Sequence, residues 1–139
     1  MKTSLITLFA LMAVVSLHAE PAQKPDPIDV ALQKDLENKP STGDMVQATA
    51  EAEKKWDAAM NAAYQKLKKE MGKEEWAALE TSQKAWLVFR DKEFATQREI
   101  FQRMDGSMWR PVAVNESLEL VKARALTLRG YLATISERD

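Results

Sequence analysis

Few side chains in this sequence could carry out catalysis or hold a metal ion. The 139 residues contain no Cys and a single His, His18, in an apolar N-terminal segment that we predict is removed. No imidazole or thiol would then remain, which excludes Ser-His-Asp and Cys-His catalysis and zinc sites built from His and Cys. Carboxylates are abundant, but most have Lys three or four positions away, as on a solvated helix face. We therefore expect a protein that is not an enzyme and that binds no cofactor or metal.

A row of polar residues on one predicted helix is a better candidate for a functional role. Gln83, Arg90 and Gln97 recur every seven residues, where a helical bundle would normally place apolar side chains. Because a buried charge must be paired, we predict that Arg90 is largely buried and pairs with Asp57 on the preceding helix. Asn61 and Gln83 could satisfy the remaining donors. Two interpretations stay open: a polar layer that fixes the register of the helices, or a site that binds a ligand.

The loop before the last predicted helix offers the best candidates for contact with a partner protein. Asp105, Ser107, Trp109 and Arg110 supply an acid, a hydroxyl, an aromatic anchor and a cation at the end of two long helices. The other three tryptophans lie on apolar helix faces, and we predict them to be in the core.

Three long helices are predicted to position these residues. Apolar residues recur every three or four positions over residues 45–71, over 73–104 and from Pro111 onwards, and no segment alternates with a period of two. Asp44 and Gln47 have the spacing of a capping box at the start of the first of these helices. The sequence thus predicts an all-α fold, an elongated antiparallel three-helix bundle.

The pattern also predicts how the long helices pack. Gly72 should end the first helix as its C′ glycine, and the short connection favours an antiparallel hairpin with the second. The middle helix is apolar on every side at Trp86–Phe89, which predicts a central position between the other two helices. The last helix carries a strict heptad seam formed by Val114, Leu118, Val121, Ala125, Leu128, Leu132 and Ile135.

The N-terminus has the pattern of an export signal. Lys2 precedes an apolar run over Ser4–Leu17, which is shorter than the roughly 20 residues that span a bilayer. Small residues follow, and we predict residues 1–19 to be a signal peptide that is cleaved after Ala19. The mature protein would be periplasmic or secreted, with no stable membrane anchor.

Two parts are predicted in the mature chain. Residues 20–43 hold four of the five prolines and should form a Pro-rich N-terminal segment, with one short helix over Ile28–Leu36. Residues 44–136 should form the helical domain. The formal net charge of −1 gives no indication of a nucleic-acid partner.

Motifs on the three long helices resemble a known family. The first is Trp56-Asp57-x-x-Met60-Asn61-x-x-Tyr64, the second is Gln83-x-x-Trp86-x-x-x-Arg90-Asp91, and the third is Val121-x-x-Arg124-Ala125. A further stretch, Gly106-Ser107-Met108-Trp109, precedes the third and fits the longer members of the same family. These motifs are similar to the LprI-type lysozyme-inhibitor domain, and the resemblance covers about Asp26 to Leu132. The signature residues are Trp56, Asp57, Asn61, Tyr64, Gln83, Trp86, Arg90, Asp91 and Arg124.

The resemblance implies an exported, all-helical, non-enzymatic protein that binds and inhibits a lysozyme. Members of this family usually carry two cysteines that are expected here near Asp35 and Ala48, and the sequence lacks both. A different function remains open at this point: a structural or assembly module of the cell envelope that acts through helix–helix contacts. That hypothesis needs the heptad seam of the last helix to be exposed.

Overall fold

The computed structural model describes residues 24–38 and 41–138, which form four α-helices. The helices are α1 (Pro27–Asn38), α2 (Thr42–Glu70), α3 (Lys73–Phe101) and α4 (Trp109–Ser136). The predicted all-α class is confirmed, and so is the short helix expected within the Pro-rich segment. None of these four helices combines the length and the hydropathy that crossing a bilayer requires. The predicted signal peptide and its cleavage site lie outside the described residues.

Helices α2 and α4 pack side by side and run in the same direction. Val46 and Val114 line one cleft near the first turns of the two helices. Farther along, Trp56 of α2 lies against Lys122 of α4. The two helices therefore pack in parallel along the length of the core.

Small side chains explain why α2 and α4 approach so closely. Alanines at their contact are buried and leave room for the backbones to come together: Ala52, Ala63 and Ala125. Larger buried side chains fill the space around them: Trp56, Met60, Leu67, Leu118, Val121 and Leu128. The centre of the predicted heptad seam is therefore buried, but against α2 rather than against the middle helix.

Helix α3 lies on the outside of this pair and runs antiparallel to α2. Near its start, Trp76 contacts Tyr64 of α2, and farther along Arg90 reaches back to Asp57. The predicted antiparallel hairpin is thus present. The contacts are made by long side chains, because the backbones of α2 and α3 stay farther apart than those of α2 and α4.

The predicted central position of the middle helix is wrong. On α3, Val88 is 57% exposed and Phe89 is 49% exposed, and only Leu79 and Gln83 are buried. The reason is that α2 and α4 pack directly against each other through their alanines, which leaves no space for α3 between them. Helix α3 then has neighbours on one side only, so one stripe of its surface is covered.

The helix ends differ in detail from the prediction. The N-cap of α2 is Ser41, whose hydroxyl accepts a hydrogen bond from the Asp44 amide at 3.2 Å. Gly72 has φ −65°, so it does not end α2 in the predicted left-handed conformation. It is instead the N-cap of α3, and its amide donates a hydrogen bond to the Glu75 carboxylate at 3.2 Å. Gly106, in the loop between α3 and α4, has φ 102°, which favours glycine at this turn.

Charged residues hold α1 against the core. Asp29 accepts a hydrogen bond from the Trp56 indole at 3.1 Å and pairs with Lys122 at 2.9 Å, while Asp26 pairs with Arg129 at 2.6 Å. Burial acts to raise the pKa of Asp26, but hydrogen bonds from a backbone amide and from Arg129 outweigh it and lower the pKa. Burial acts to lower the pKa of Lys122, and the hydrogen bond to Asp29 with the nearby acids raises it overall.

Candidate partner-binding site

Signature residues link α2 to α3 in the middle of the bundle. Arg90 pairs with Asp57 at 3.6 Å, as predicted, and with its neighbour Asp91 at 2.8 Å. Asn61 donates a hydrogen bond to the Asp57 carboxylate at 3.0 Å. The side chain of Arg90 is 23% exposed and that of Asp57 is 42% exposed. Arg90 is therefore less buried than predicted, because α3 lies outside the core.

Gln83 links α3 to α4 instead of satisfying Arg90. Its side-chain oxygen accepts a hydrogen bond from Arg124 Nε at 2.9 Å, and its amide nitrogen lies 3.7 Å from the Met60 sulfur. The ring centre of Trp86 lies 5.7 Å from the guanidinium carbon of Arg90 and 5.9 Å from that of Arg124. Burial lowers the pKa of Arg124. The pairing of Gln83 with Arg124 is not evident from the sequence, because the two residues lie 41 positions apart.

The remaining members of this middle region are also engaged within the protein. Trp56 is fully buried, and Tyr64 packs against Trp76 with ring centres 4.9 Å apart. Gln97 accepts a hydrogen bond from Ser117 at 3.0 Å. Among the described residues, no buried side-chain nitrogen or oxygen lacks a hydrogen-bond partner. This arrangement favours a polar layer that fixes the register of the helices over a site that binds a ligand.

At the end of the molecule that carries the loop between α3 and α4, side chains are exposed instead of engaged within the protein. We call residues 100–112 the tip. The four predicted partner-binding residues lie there and are exposed: Asp105, Ser107, Trp109 and Arg110. Trp109 is 37% exposed, and its ring packs against Phe101 with ring centres 6.3 Å apart. All four residues are therefore accessible to a partner at the end of two long helices.

Four further apolar side chains of the tip are exposed, and the sequence analysis did not select them: Ile100, Met104, Met108 and Val112. Met108 is 71% exposed. The signal that could have identified Met104 and Met108 is their place in the loop around Gly106, between the end of α3 and the start of α4. Clustered apolar side chains on a surface mark interaction sites, and methionines adapt their shape to a partner.

A cleft of about 620 Å³ opens beside the tip, between the first turns of α2, the last turns of α3 and the first turns of α4. Its walls are mostly apolar and include Val46, Ala50, Phe94, Phe101, Trp109, Ala113 and Val114. Polar side chains also line it: Glu53, Gln97, Arg98, Gln102, Arg110 and Ser117. Four residues belong to both the tip and the cleft, so the two form one continuous surface: Phe101, Gln102, Trp109 and Arg110.

Glu53 supplies a carboxylate to this cleft, and the sequence analysis did not distinguish it from the many other acids. It is half-buried, and no cation lies within ion-pair distance of it among the described residues. Burial and the charge of Asp57 raise the pKa of Glu53, and the cations Arg90 and Lys54 offset part of this effect.

A second cleft, of about 690 Å³, lies beside Trp56 where α1 meets α4. Four of its charged side chains already pair with one another, Asp29 with Lys122 and Asp26 with Arg129. It therefore offers a partner fewer free groups than the cleft beside the tip. Over residues 24–38 and 41–138, no three His, Cys, Asp or Glu side chains lie close enough together to hold a metal ion.

Residues 33–128 match the family model described as lysozyme inhibitor LprI. The chain belongs to the LprI family. The matched residues include all of α2 and α3, and thus both the middle of the bundle and the tip. Membership in the LprI family supports a function of the lysozyme-inhibitor kind in general terms.

The LprI fold of this chain is similar to the crystal structure of an uncharacterised protein from Burkholderia thailandensis, with a TM-score of 0.78 and 31% sequence identity. The similarity covers 82% of this chain and 57% of that protein, so the chain spans little more than half the length of its relative. No curated protein matches the chain significantly.

Proposed function

We propose that this LprI family member is an exported, non-enzymatic protein that inhibits a lysozyme by placing its tip in the substrate cleft of that enzyme. The observation that carries the proposal is the exposed tip, where Trp109 and Arg110 stand beside clustered apolar side chains at the end of two helices. Inhibition of this kind needs no chemistry from the inhibitor, because an occupied cleft excludes the substrate.

The roles of the tip residues follow from their chemistry. Trp109 is an amphipathic anchor whose ring is held in place by Phe101. Arg110 is exposed and makes no ion pair within the described residues. Glycosidases of the lysozyme type act with two carboxyl groups, and a free guanidinium is well suited to bind a carboxylate. We therefore assign Arg110 to the catalytic carboxylates of the enzyme and Trp109 to the apolar wall of its cleft.

The signature residues have a different role in this proposal. Asp57, Gln83, Arg90 and Arg124 hold α2, α3 and α4 in register, and so position the tip without contacting the enzyme. Rigid support of this kind keeps the tip in its binding geometry. The expected effect of changing them is on stability first and on inhibition second.

The test is lysis of a bacterial cell-wall suspension by c-type, g-type and i-type lysozymes, with and without the exported protein. Trp109→Ala and Arg110→Ala should each weaken inhibition about tenfold or more. Tyr131→Ala is the matched aromatic control, since Tyr131 is 44% exposed and lies about 33 Å farther along α4. Lys69→Ala, in the last turn of α2, is the matched control for the charge.

Two results would contradict this proposal in different ways. No inhibition of any lysozyme type at tens of micromolar protein would reject the function and return the assembly hypothesis to first place. Inhibition that survives both tip substitutions would keep the function and reject the tip as the surface. The assembly hypothesis has little support from the fold, because the heptad seam on which it depends is buried against α2 at Leu118, Val121, Ala125 and Leu128.

Export is part of the same proposal. The predicted signal peptide, residues 1–19, should be removed, so that Glu20 is the first residue of the mature protein. Mass spectrometry of the protein recovered outside the cytoplasm measures this directly. Recovery of a chain that still begins with Met1 in the membrane fraction would contradict export.

A further inference from the structure

The carboxylate of Glu53 occupies an unusual position in the cleft beside the tip. It lies on α2, three residues after Ala50 and four before Asp57, where α2, α3 and α4 enclose it. It is half-buried, and no Lys or Arg lies within 4 Å of it among the described residues. A carboxylate with reduced hydration and no paired cation gains more from an incoming cation than a fully hydrated one does.

The charges around Glu53 come from all three helices. On α2, Asp57 is repulsive and Lys54 is attractive, and Arg90 of α3 is attractive at a distance. Arg98 of α3 and Arg110 of α4 also line the cleft, but both residues are exposed at its rim. Water screens the charge of exposed arginines much more than that of a half-buried group. The pKa of Glu53 is raised, so the cations already present do not compensate its burial.

The walls of the cleft add a second requirement for a ligand. Phe94, Phe101 and Trp109 present aromatic surface, and Val46 and Val114 present aliphatic surface. An ion with no apolar part would leave these walls uncovered. An aliphatic chain that ends in a cation would cover the walls and bring its charge to the carboxylate, with aromatic faces beside it.

We infer that the cleft binds a lysine or arginine side chain of the partner protein, with its methylene groups against the aromatic walls and its charged end on Glu53. This inference rests on the proposed function, and the partner is the lysozyme bound at the tip. The cleft and the tip share Trp109 and Arg110, so one partner surface covers both. Arg110 meets an acid of the enzyme while Glu53 meets a base on the rim of its cleft, which gives the interface charge complementarity in both directions.

A first experiment tests the cleft without any lysozyme. Backbone amide and indole N–H shifts of the exported protein are followed by NMR during titration with hexylammonium, hexanoate or 1-hexanol, three probes with the same apolar chain. Hexylammonium should shift the signals of Ala50, Trp109 and Ala113, and should bind about tenfold more tightly than 1-hexanol. Hexanoate should bind less tightly than hexylammonium, although Arg98 and Arg110 also line the cleft.

Two variants assign the preference to one carboxylate. In Glu53→Gln, hexylammonium should bind no more than about twofold more tightly than 1-hexanol. Glu70→Gln is the matched control, because Glu70 is an exposed acid in the last turn of α2, far from the cleft, and it should retain the tenfold preference. Tighter binding of hexanoate, or equal binding of the cation and the alcohol to the unmodified protein, would overturn the inference.

A second experiment separates this inference from the proposed function. Glu53→Gln should weaken the inhibition of the sensitive lysozyme about tenfold, while Glu70→Gln should leave it unchanged. If Glu53→Gln inhibits as well as the unmodified protein, the inference is wrong and the proposed function stands. If no lysozyme is inhibited at all, the proposed function fails, and the assignment of the bound side chain to a lysozyme fails with it.

Discussion

The middle of the bundle and the tip use the same residue types in opposite ways. In the middle, Arg90 and Arg124 lie near the ring of Trp86, and each has a hydrogen-bond partner within the protein. In the tip, Trp109 and Arg110 are exposed, and Arg110 makes no ion pair within the described residues. Tryptophan and arginine stabilise the fold in one region and remain available to a partner in the other.

The difference separates what the family signature specifies from what it leaves open. Its polar members bind one another across α2, α3 and α4, so the signature specifies the packing of three helices. None of the nine signature residues lies in the tip. Under the proposed function, the choice of lysozyme should therefore depend on residues of the tip outside these nine.

Paired tryptophan substitutions give the largest expected contrast between the two regions. Trp56→Ala removes a fully buried ring, and we expect a loss of about 3–5 kcal/mol in the free energy of unfolding. Trp109→Ala removes an exposed ring, and we expect a loss of less than about 1 kcal/mol. Urea unfolding followed by circular dichroism measures both. Similar losses for the two variants would mean that the tip belongs to the core.

A disulfide between α1 and α2 should stabilise the attachment of α1 without affecting the tip. Asp35 and Ala48, where the family resemblance places cysteines, line the same small gap between these helices. In the double variant Asp35→Cys/Ala48→Cys, oxidation should stabilise the protein by about 3 kcal/mol, because it closes a short loop in the unfolded chain. The reduced form of the same protein is the control in urea unfolding. A change in lysozyme inhibition on oxidation would show that the two regions are coupled.

The helices themselves could be predicted because their signals are local. Proline, glycine and the spacing of apolar residues set their limits to within a few positions, and the 4-3 spacing of α4 identified its buried face. The order of packing could not be predicted in the same way. The run Trp86–Phe89 predicts burial on all sides, but the alanines of α2 are the better guide to the packing, because small side chains allow the closest approach.

The candidate site was predictable only in part. A turn with Gly106 between two long helices indicated an exposed loop, and the structure exposes the residues predicted there. The Arg90–Asp57 pair followed from matching polar positions on neighbouring helices. Glu53 could not be selected from the sequence, because its burial depends on a cleft formed by three helices. Nothing in the sequence around Glu53 distinguishes it from the many exposed acids.

Breaking the Arg90–Asp57 pair should have a smaller effect than a buried ion pair would have. A fully buried partner charge would cost about 3 kcal/mol or more when it is left alone. Because the side chains are 23% and 42% exposed, we expect Arg90→Ala to cost only about 1–2 kcal/mol, part of it from lost packing on Trp86. Arg90→Met keeps the aliphatic stem and should lose about half as much. A loss above 3 kcal/mol for Arg90→Ala would restore the prediction of a buried charge.

Acid should weaken the attachment of α1 before it affects the tip. The pKa of Asp26 is lowered in the folded protein, so its pairing with Arg129 is fully present above the ordinary value of about 3.9 and is lost as the pH falls through the lowered pKa. We expect Asp26→Asn to be less stable than the unmodified protein by at most about 1 kcal/mol at pH 6, since Arg129 is 40% exposed. That difference should shrink progressively as the pH falls below about 3.9 through the lowered pKa, because Asp26 then becomes neutral like the asparagine. Asp105→Asn, an exposed acid of the tip, is the control, and its stability should equal that of the unmodified protein at each pH. Urea unfolding midpoints at pH 6 and at a series of lower pH values test this, and a difference for Asp26→Asn that does not shrink as the pH falls would show that Asp26 acts through packing rather than through its charge.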